Sequence, residues 1–341
     1  MIKTILQNKK NHYRYLEALD ITPKDDSFHG NINFIDVEWW YFDAVFDNDY
    51  SVHLGIRVYH IKNSGMIESR INIYRKGKIE VETTKKDFLN SFEITKNYPN
   101  IKINGKNVVE FEKEHYKKYG IWRYKIKLKI NNNEADLTFE GTTKGWKIET
   151  DETCWTVALP KAKVDGKLTV RGKTLKVKGT GYHDHNWGYS PATMFKNIGW
   201  FWGRITGDAL SITWAKTIQT PEKGDLLAVV NKDNNFGDNK NEFYSLKPDC
   251  IRFTPFNFSK DHRNSIPTEF DLKINSNLND ETKFSADIHM RSIYTQHSKI
   301  FTAHYWRYHV ISSGYISLDN KKEELENKNQ IMEFLLFKSL I

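Results

Sequence analysis

The sequence has little with which to cross-link itself. Only two cysteines occur in 341 residues, Cys154 and Cys250. They lie far apart and in no metal-ligand spacing, which excludes a disulfide framework or a zinc knuckle and fits a reducing compartment. Long hydrophobic runs are missing as well. No segment approaches the roughly 20 apolar residues that a membrane span needs. The stretch Met1-Ile2-Lys3-Thr4-Ile5-Leu6, followed by Gln7-Asn8-Lys9-Lys10, is too short for the core of a signal peptide. A cytoplasmic protein is expected. Helical periodicity is also scarce: Asn11 to Asp20, ahead of Pro23, reads as a short N-terminal helical segment, and Asp319 to Gln330 as a solvated helix or long loop. No internal repeat is evident.

Neither charge sign dominates enough to name a partner. The 51 basic and 43 acidic residues leave +8, mostly dispersed along the chain. The densest run, Lys161 to Lys178, holds seven basic residues and one acid, Asp165, and reads as short strands around Asp165-Gly166 and Arg171-Gly172. Such a run is the solvated face of a hairpin rather than a nucleic-acid surface. Weak peripheral attraction to an anionic membrane stays open, and would suit a substrate that sits in lipid.

What the chain does have is aromatic residues and alternation. With 10 Trp, 17 Tyr and 20 Phe, rings supply much of the apolar volume, which suits strands and ring-lined cavities. From Ser51 to Ile61, residues Val52, Leu54, Ile56, Val58 and His60 fall on one side, with His53, Gly55, Arg57 and Tyr59 on the other. The same period of two recurs in Tyr124 to Ile130, Leu168 to Lys178, Leu210 to Lys216, Glu269 to Ile274 and Phe284 to His289. Turn residues separate these runs: Asp47-Asn48-Asp49, Lys76-Gly77-Lys78, Asn104-Gly105-Lys106, Asn131-Asn132-Asn133 and Asp165-Gly166. Strands joined by tight turns without intervening helices predict an all-β chain of antiparallel barrels or sandwiches. The length exceeds one ordinary core, so two domains are expected. The break at Ser190-Pro191-Ala192 divides the chain into an N-terminal segment, 1–28, and domains at 29–190 and 191–341, with the Asn/Lys-rich Asn231 to Asn241 as a loop.

Three clusters stand out from the Lys/Asn background: Glu38-Trp39-Trp40-Tyr41-Phe42-Asp43-Ala44, Gly181-Tyr182-His183-Asp184-His185-Asn186-Trp187-Gly188, and Trp200-Phe201-Trp202-Gly203-Arg204. Neighbours in a strand point to opposite faces, so Tyr182, Asp184 and Asn186 share one face and His183, His185 and Trp187 the other. Each cluster also has a plain reading, with the tryptophans as core and Asp184 as a buried partner of histidines. His183 and His185 could ligate a metal with Glu38 as a third donor, but two ligands do not establish a site.

In this order the three motifs resemble the carotenoid 1,2-hydratase (hydroxyneurosporene synthase) and AttH-like family, which is itself similar to fungal phytoalexin hydratases and decalin-forming Diels–Alderases. The match runs from about His29 to the strand Ile331-Met332-Glu333-Phe334-Leu335. The resemblance implies two calycin (lipocalin-like) barrels, a site between them built from these motifs, no metal and no organic cofactor. It also carries the hydratases' Tyr-x-Asp pair onto Tyr182 and Asp184. The chain departs from the family at Trp155, which stands about where a histidine is expected.

The chemistry can be argued from the residues themselves. Hydrating an isolated trisubstituted alkene needs a donor strong enough to make a tertiary cation and a surface that stabilises it. A carboxylic acid kept neutral by apolar surroundings can donate, and Trp faces supply cation–π stabilisation. Asp184 is the candidate acid, with Tyr182 or His183 holding its geometry and Trp40, Trp200 and Trp202 as the aromatic wall. His185, Asn186 or Glu38 could orient the water. Trp39, Trp155, Trp187, Arg204 and Trp306 complete the set expected to bind a large apolar, isoprenoid or polyketide-like molecule. The same pocket could instead fold a polyene for cyclisation or isomerisation, with Glu38, Arg204 or Tyr182 polarising a carbonyl. A lipocalin-type carrier would need no proton donor at all.

Overall fold

The computed structural model describes residues 12–337 except 31–33, 63, 195, 220–222, 234–241, 280–281, 301–302 and 320. The expected loop at Asn231 to Asn241 therefore lies largely outside the described residues, although Asn231 and Lys232 end a strand. The chain divides into two compact units, one of Ala18–Thr193 and one of the described parts of Met1–Glu17 and Met194–Ile341.

The first unit is a 13-stranded, nearly closed antiparallel barrel. A meander of Ile35–Phe46, Tyr50–Ile61, Ser64–Arg75 and Lys78–Phe88 forms one side. Ile35–Phe46 also pairs with the long strand Lys173–Tyr189, which pairs in turn with Cys154–Val170 and, through it, with Asn133–Gly141 and Arg123–Ile130. Alternation explains these strands. In Arg123–Ile130 the apolar Tyr124, Ile126, Leu128 and Ile130 are buried while the intervening lysines face water, and each fully buried aliphatic side chain contributes about 1.5–3 kcal/mol. Turn residues sit where the backbone turns left-handed: Asp49, Lys76, Asn104 and Asn131 all have positive φ, a conformation that Asn and Asp tolerate better than most residues.

The second unit is a ten-stranded sheet. Its order runs His12–Arg14, Lys223–Lys232, Leu210–Ile218, Gly199–Thr206, Lys321–Leu336, Ala303–Leu318, Lys283–Ile300, Asn264–Asn277 and Ile251–Asp261, with Glu242–Ser245 on Lys223–Lys232. Its core is aromatic: Phe201 stacks on Phe334 at 4.3 Å between centroids, and Trp214 lies 4.2 Å from Phe253. Gly203 makes room for the Trp214 ring, whose atoms lie 2.8 Å from where a Cβ would stand.

Three local expectations fail. The N-terminal helical segment is absent from the described residues, which instead form the strands His12–Arg14 and Leu19–Asp20. The segment satisfies its backbone by pairing with Lys223–Asp225 and with Trp146–Lys147. Of the stretch Asp319 to Gln330, the residues from Lys321 on are neither helix nor loop, because Lys321–Leu336 is one strand whose polar first half is mostly exposed and whose apolar second half is mostly buried. Asp165-Gly166 does not turn. It lies inside Cys154–Val170, where Gly166 takes φ 148 and its absent Cβ leaves space for the Asp136 carbonyl oxygen 2.2 Å away. The turn of that hairpin is at Arg171-Gly172, both at positive φ.

Candidate active site

Two strands fix the central arrangement. Ile35–Phe46 and Lys173–Tyr189 pair so that Asp43 faces Tyr182, Tyr41 faces Asp184 and Trp39 faces Asn186, while Phe42 faces His183 and Trp40 faces His185. On the other side of Lys173–Tyr189, Trp155 stands opposite Asn186. One face of the sheet therefore gathers Tyr182, Asp184, Asn186, Trp155, Trp39, Tyr41 and Asp43. The other gathers His183, His185, Glu38, Trp40 and Phe42.

Asp184 is the hub of the first face. Its Oδ2 accepts hydrogen bonds from Tyr182 Oη at 2.8 Å and Trp155 Nε1 at 2.9 Å, and its Oδ1 accepts one from Asn186 Nδ2 at 3.0 Å. Tyr182 is fully buried and Asp184 is 6% exposed. Beside them Tyr41 donates to Asp43 Oδ2 at 2.8 Å and meets Tyr182 edge-on. Trp39 packs on Tyr189 under the Arg57 guanidinium. Trp155 thus supplies a donor from the position where the family resemblance leads one to expect histidine. Nearby Cys154 is no nucleophile, since burial pushes its thiol up to about 12.

The second face is a separate network, buried at His183, His185, Asp26 and Tyr124 and partly exposed at His29. His183 bonds the Tyr41 carbonyl through Nδ1 at 2.9 Å and Asp26 Oδ2 through Nε2 at 3.0 Å, and its ring stacks on Phe42 at 3.8 Å. Tyr124 donates to the same Asp26 oxygen at 2.6 Å; burial, and then the Asp26 charge, raise this phenol well above its ordinary value and keep it a donor. His185 Nε2 lies 2.8 Å from Glu38 Oε1, and its ring is sandwiched onto Trp40 at 4.3 Å. Glu38 also accepts the backbone N–H groups of His29 and Gly30, at 3.0 and 3.2 Å. Burial alone would push the Glu38 carboxyl up, but the bonds from His185 and His29 outweigh it and hold it below its ordinary value. His29 stacks on Trp187 at 4.1 Å.

The residues singled out in the sequence are thus sorted by face. Tyr182, Asp184, Asn186, Trp155 and Trp39 come together. His183, expected to hold Asp184, instead holds Asp26, and Tyr182 takes the expected role with Trp155 and Asn186. Trp40, expected in the aromatic wall, is fully buried on the opposite face with its Nε1 donating to the Asp26 carbonyl. His185, Glu38 and Trp187 lie with it.

In the second unit, Trp200, Trp202 and Arg204 share a face, with Trp200 against Phe337 and Arg204 donating to Thr206 Oγ1 at 2.8 Å. Trp306 belongs to the core, stacked on Phe334, its Nε1 donating to Asp261 Oδ2 at 2.7 Å. Sequence reasoning missed the polar residues beside Trp202: Glu333 pairs in register with Trp202 and accepts from the buried Arg307 at 2.8 Å. His309, two residues on, is held well below its ordinary value by burial and by Arg307. It also missed Asp26, His29 and Tyr124. Asp26 and His29 sit in an irregular segment with no periodicity to mark them, and Tyr124 appeared only as an alternating strand residue.

Of the comparisons with known proteins, those with solved structures show the fold. No family model matches the chain. Hydroxyneurosporene dehydrogenase of Chlorobaculum tepidum is 40% identical over 57 residues, a match that spans 15% of this chain and only 14% of that protein's length. Among solved structures, an AttH protein of Nitrosomonas europaea matches with a TM-score of 0.60 at 14% identity, over 94% of this chain and 98% of that one. Kievitone hydratase from Nectria haematococca matches at 0.58 with 15% identity, covering 97% and 98%. CghA, solved with Sch210972, matches at 0.61 with 12% identity over 97% of each chain. The chain therefore has the all-β, lipocalin-type fold of the AttH-like proteins. This is the grouping that its three motifs resemble.

Proposed function

We propose that the protein is an alkene hydratase acting on a large apolar molecule of the isoprenoid class, with Asp184 as the acid. The observation that carries this reading is the buried carboxyl of Asp184 ringed by donors from Tyr182, Trp155 and Asn186. Those donors stabilise the carboxylate left behind when the proton departs, so they act most strongly as the reaction proceeds. The carboxyl proton passes to one alkene carbon as the π electrons form the new C–H bond. The tertiary cation at the other carbon is stabilised by the Trp faces of the same side, Trp39 and Trp155. Water then bonds to that carbon and loses a proton to Asp184, which restores the acid. Fold similarity to kievitone hydratase supports this class of reaction.

One observation favours a second reading. All three bonds named at Asp184 are donated to it, as suits a resting carboxylate that anchors a polar end while the aromatic residues fold a polyene, and CghA, a Diels–Alderase, has the same fold. Lipid extracts of cells with and without the gene, grown in ordinary water, identify substrate and product, and the purified protein acting on that unlabelled substrate in ordinary and in deuterated water separates the two. Hydration is expected to give a product 18 Da heavier than its substrate, with deuterium on the protonated carbon. An unlabelled product isomeric with its substrate would make the protein a cyclase, and a ligand recovered unchanged would make it a carrier.

A further inference from the structure

We infer that His29, Glu38 and His185 form a binding site for a divalent transition ion of the zinc class, on the face of the sheet opposite Asp184. Their donor atoms, one per residue, all lie within 4.8 Å of one another. Glu38 Oε1 is 2.8 Å from His185 Nε2 and 3.6 Å from His29 Nδ1. Zinc at about 2.0–2.1 Å from each ligand needs donors a little over 3 Å apart, so small shifts suffice. Two imidazoles with one carboxylate are a borderline set that suits zinc or ferrous iron and not calcium or magnesium.

A second observation, independent of the spacing, points to a ligand. His185 Nδ1 and Asp26 Oδ1 are both fully buried, neither has a hydrogen-bond partner, and they face each other at 3.6 Å. With His185 donating from Nε2 to Glu38, a neutral ring leaves Nδ1 without a proton, and two acceptors confront one another. An ion on Nε2 forces the proton onto Nδ1, where it points at Asp26 and satisfies both orphaned atoms. The result is a carboxylate–histidine–metal arrangement, in which Asp26 orients the ring from behind. Trp40 fixes the His185 ring from one side and Trp187 packs on the His29 ring. The ion would tie the irregular segment at Asp26 and His29 to the sheet. The rival occupant of the same position is a proton, with His185 an imidazolium between two carboxylates.

The test is Co2+ or Zn2+ titration of chelator-treated, untagged full-length protein. It is carried out in a His297→Gln background, because His297 and His304 form a partly buried imidazole pair, Nε2 to Nδ1 at 2.9 Å. One equivalent of Co2+ should bind with the absorption of a four- or five-coordinate ion, and Zn2+ should displace it. His29→Ala, at a partly exposed position, should weaken Co2+ binding at least about a hundredfold without unfolding the chain. Asp26→Asn should weaken it roughly ten- to a hundredfold, and Asp184→Asn not at all. Nitrogen NMR of His185 should show a neutral ring protonated at Nδ1 in the loaded protein. No binding at micromolar Zn2+, binding indifferent to His29→Ala, or an imidazolium signal that metal leaves unchanged would overturn the site. The hydration assay reads Asp184 separately, so either reading can fail alone.

Discussion

His183 and Asp184 are adjacent in the chain and lie on opposite faces of one sheet, so their substitutions are expected to do different things. Asp184→Asn keeps the shape of the side chain but removes the transferable proton, and turnover should fall at least about a hundredfold with substrate binding nearly unchanged. Tyr182→Phe and Trp155→Phe each remove one donor from Asp184 Oδ2, and each should cost roughly tenfold in turnover, the equivalent of a hydrogen bond of about 1.4 kcal/mol. Steady-state kinetics on the product found by mass spectrometry would check all three; normal turnover by the Asp184→Asn protein would remove it as the acid. Gly181 shows how closely the second face is packed. A Cβ there would stand 2.5 Å from Val164 and 2.6 Å from Phe139, and 2.8 Å from the Asp43 carbonyl oxygen. Gly181→Ala should lower stability by about 1–3 kcal/mol, read as a drop in the denaturant midpoint with no change in slope.

Along single strands the sequence was a good guide. Strict alternation made Arg123–Ile130 and Tyr50–Ile61 legible, and the period of two correctly placed Tyr182 with Asp184 and apart from His183. It could not say which strand would lie alongside, so Trp155 as a donor to Asp184, or Glu333 beside Trp202, became visible only through pairing between distant segments. Lys113–Tyr119, a short helix with no buried residue, offered no apolar stripe to find. In the second unit the histidines predict a pH dependence. Burial, and then the neighbouring His262 and His304, hold His297 down to about 4, and His304 and His309 are lowered as well. The unfolded chain takes up these protons below about pH 6.5 while the folded chain resists. Stability contributed by their neutral forms is therefore present above that pH and is lost as pH falls toward 4. Thermal melts between pH 7.5 and 5, a window above most carboxyl titration, should show a falling midpoint, and His297→Gln should flatten the slope.

Across the whole molecule, the strand His12–Arg14 pairs in parallel with Lys223–Asp225, and Arg14 reaches Asp225 at 3.3 Å. It is the one parallel pair among the described strands, and it assigns the start of the described chain to the unit that the end of the chain builds. Removing residues 1–17 should leave the unit of Ala18–Thr193 folded and lower the melting temperature of the other. Thermal melts followed by circular dichroism, in which only one of two transitions is expected to shift, would report it. The pairing also has a meaning in time. Lys223 follows His12 by about 200 residues, and at ribosomal rates of 5–20 residues per second the partner strand emerges roughly 10–40 s later. Throughout that interval the early strand has no sheet to join, while the intervening barrel can close on its own. A nascent chain therefore carries an unclaimed strand past one finished fold before a second is available to take it.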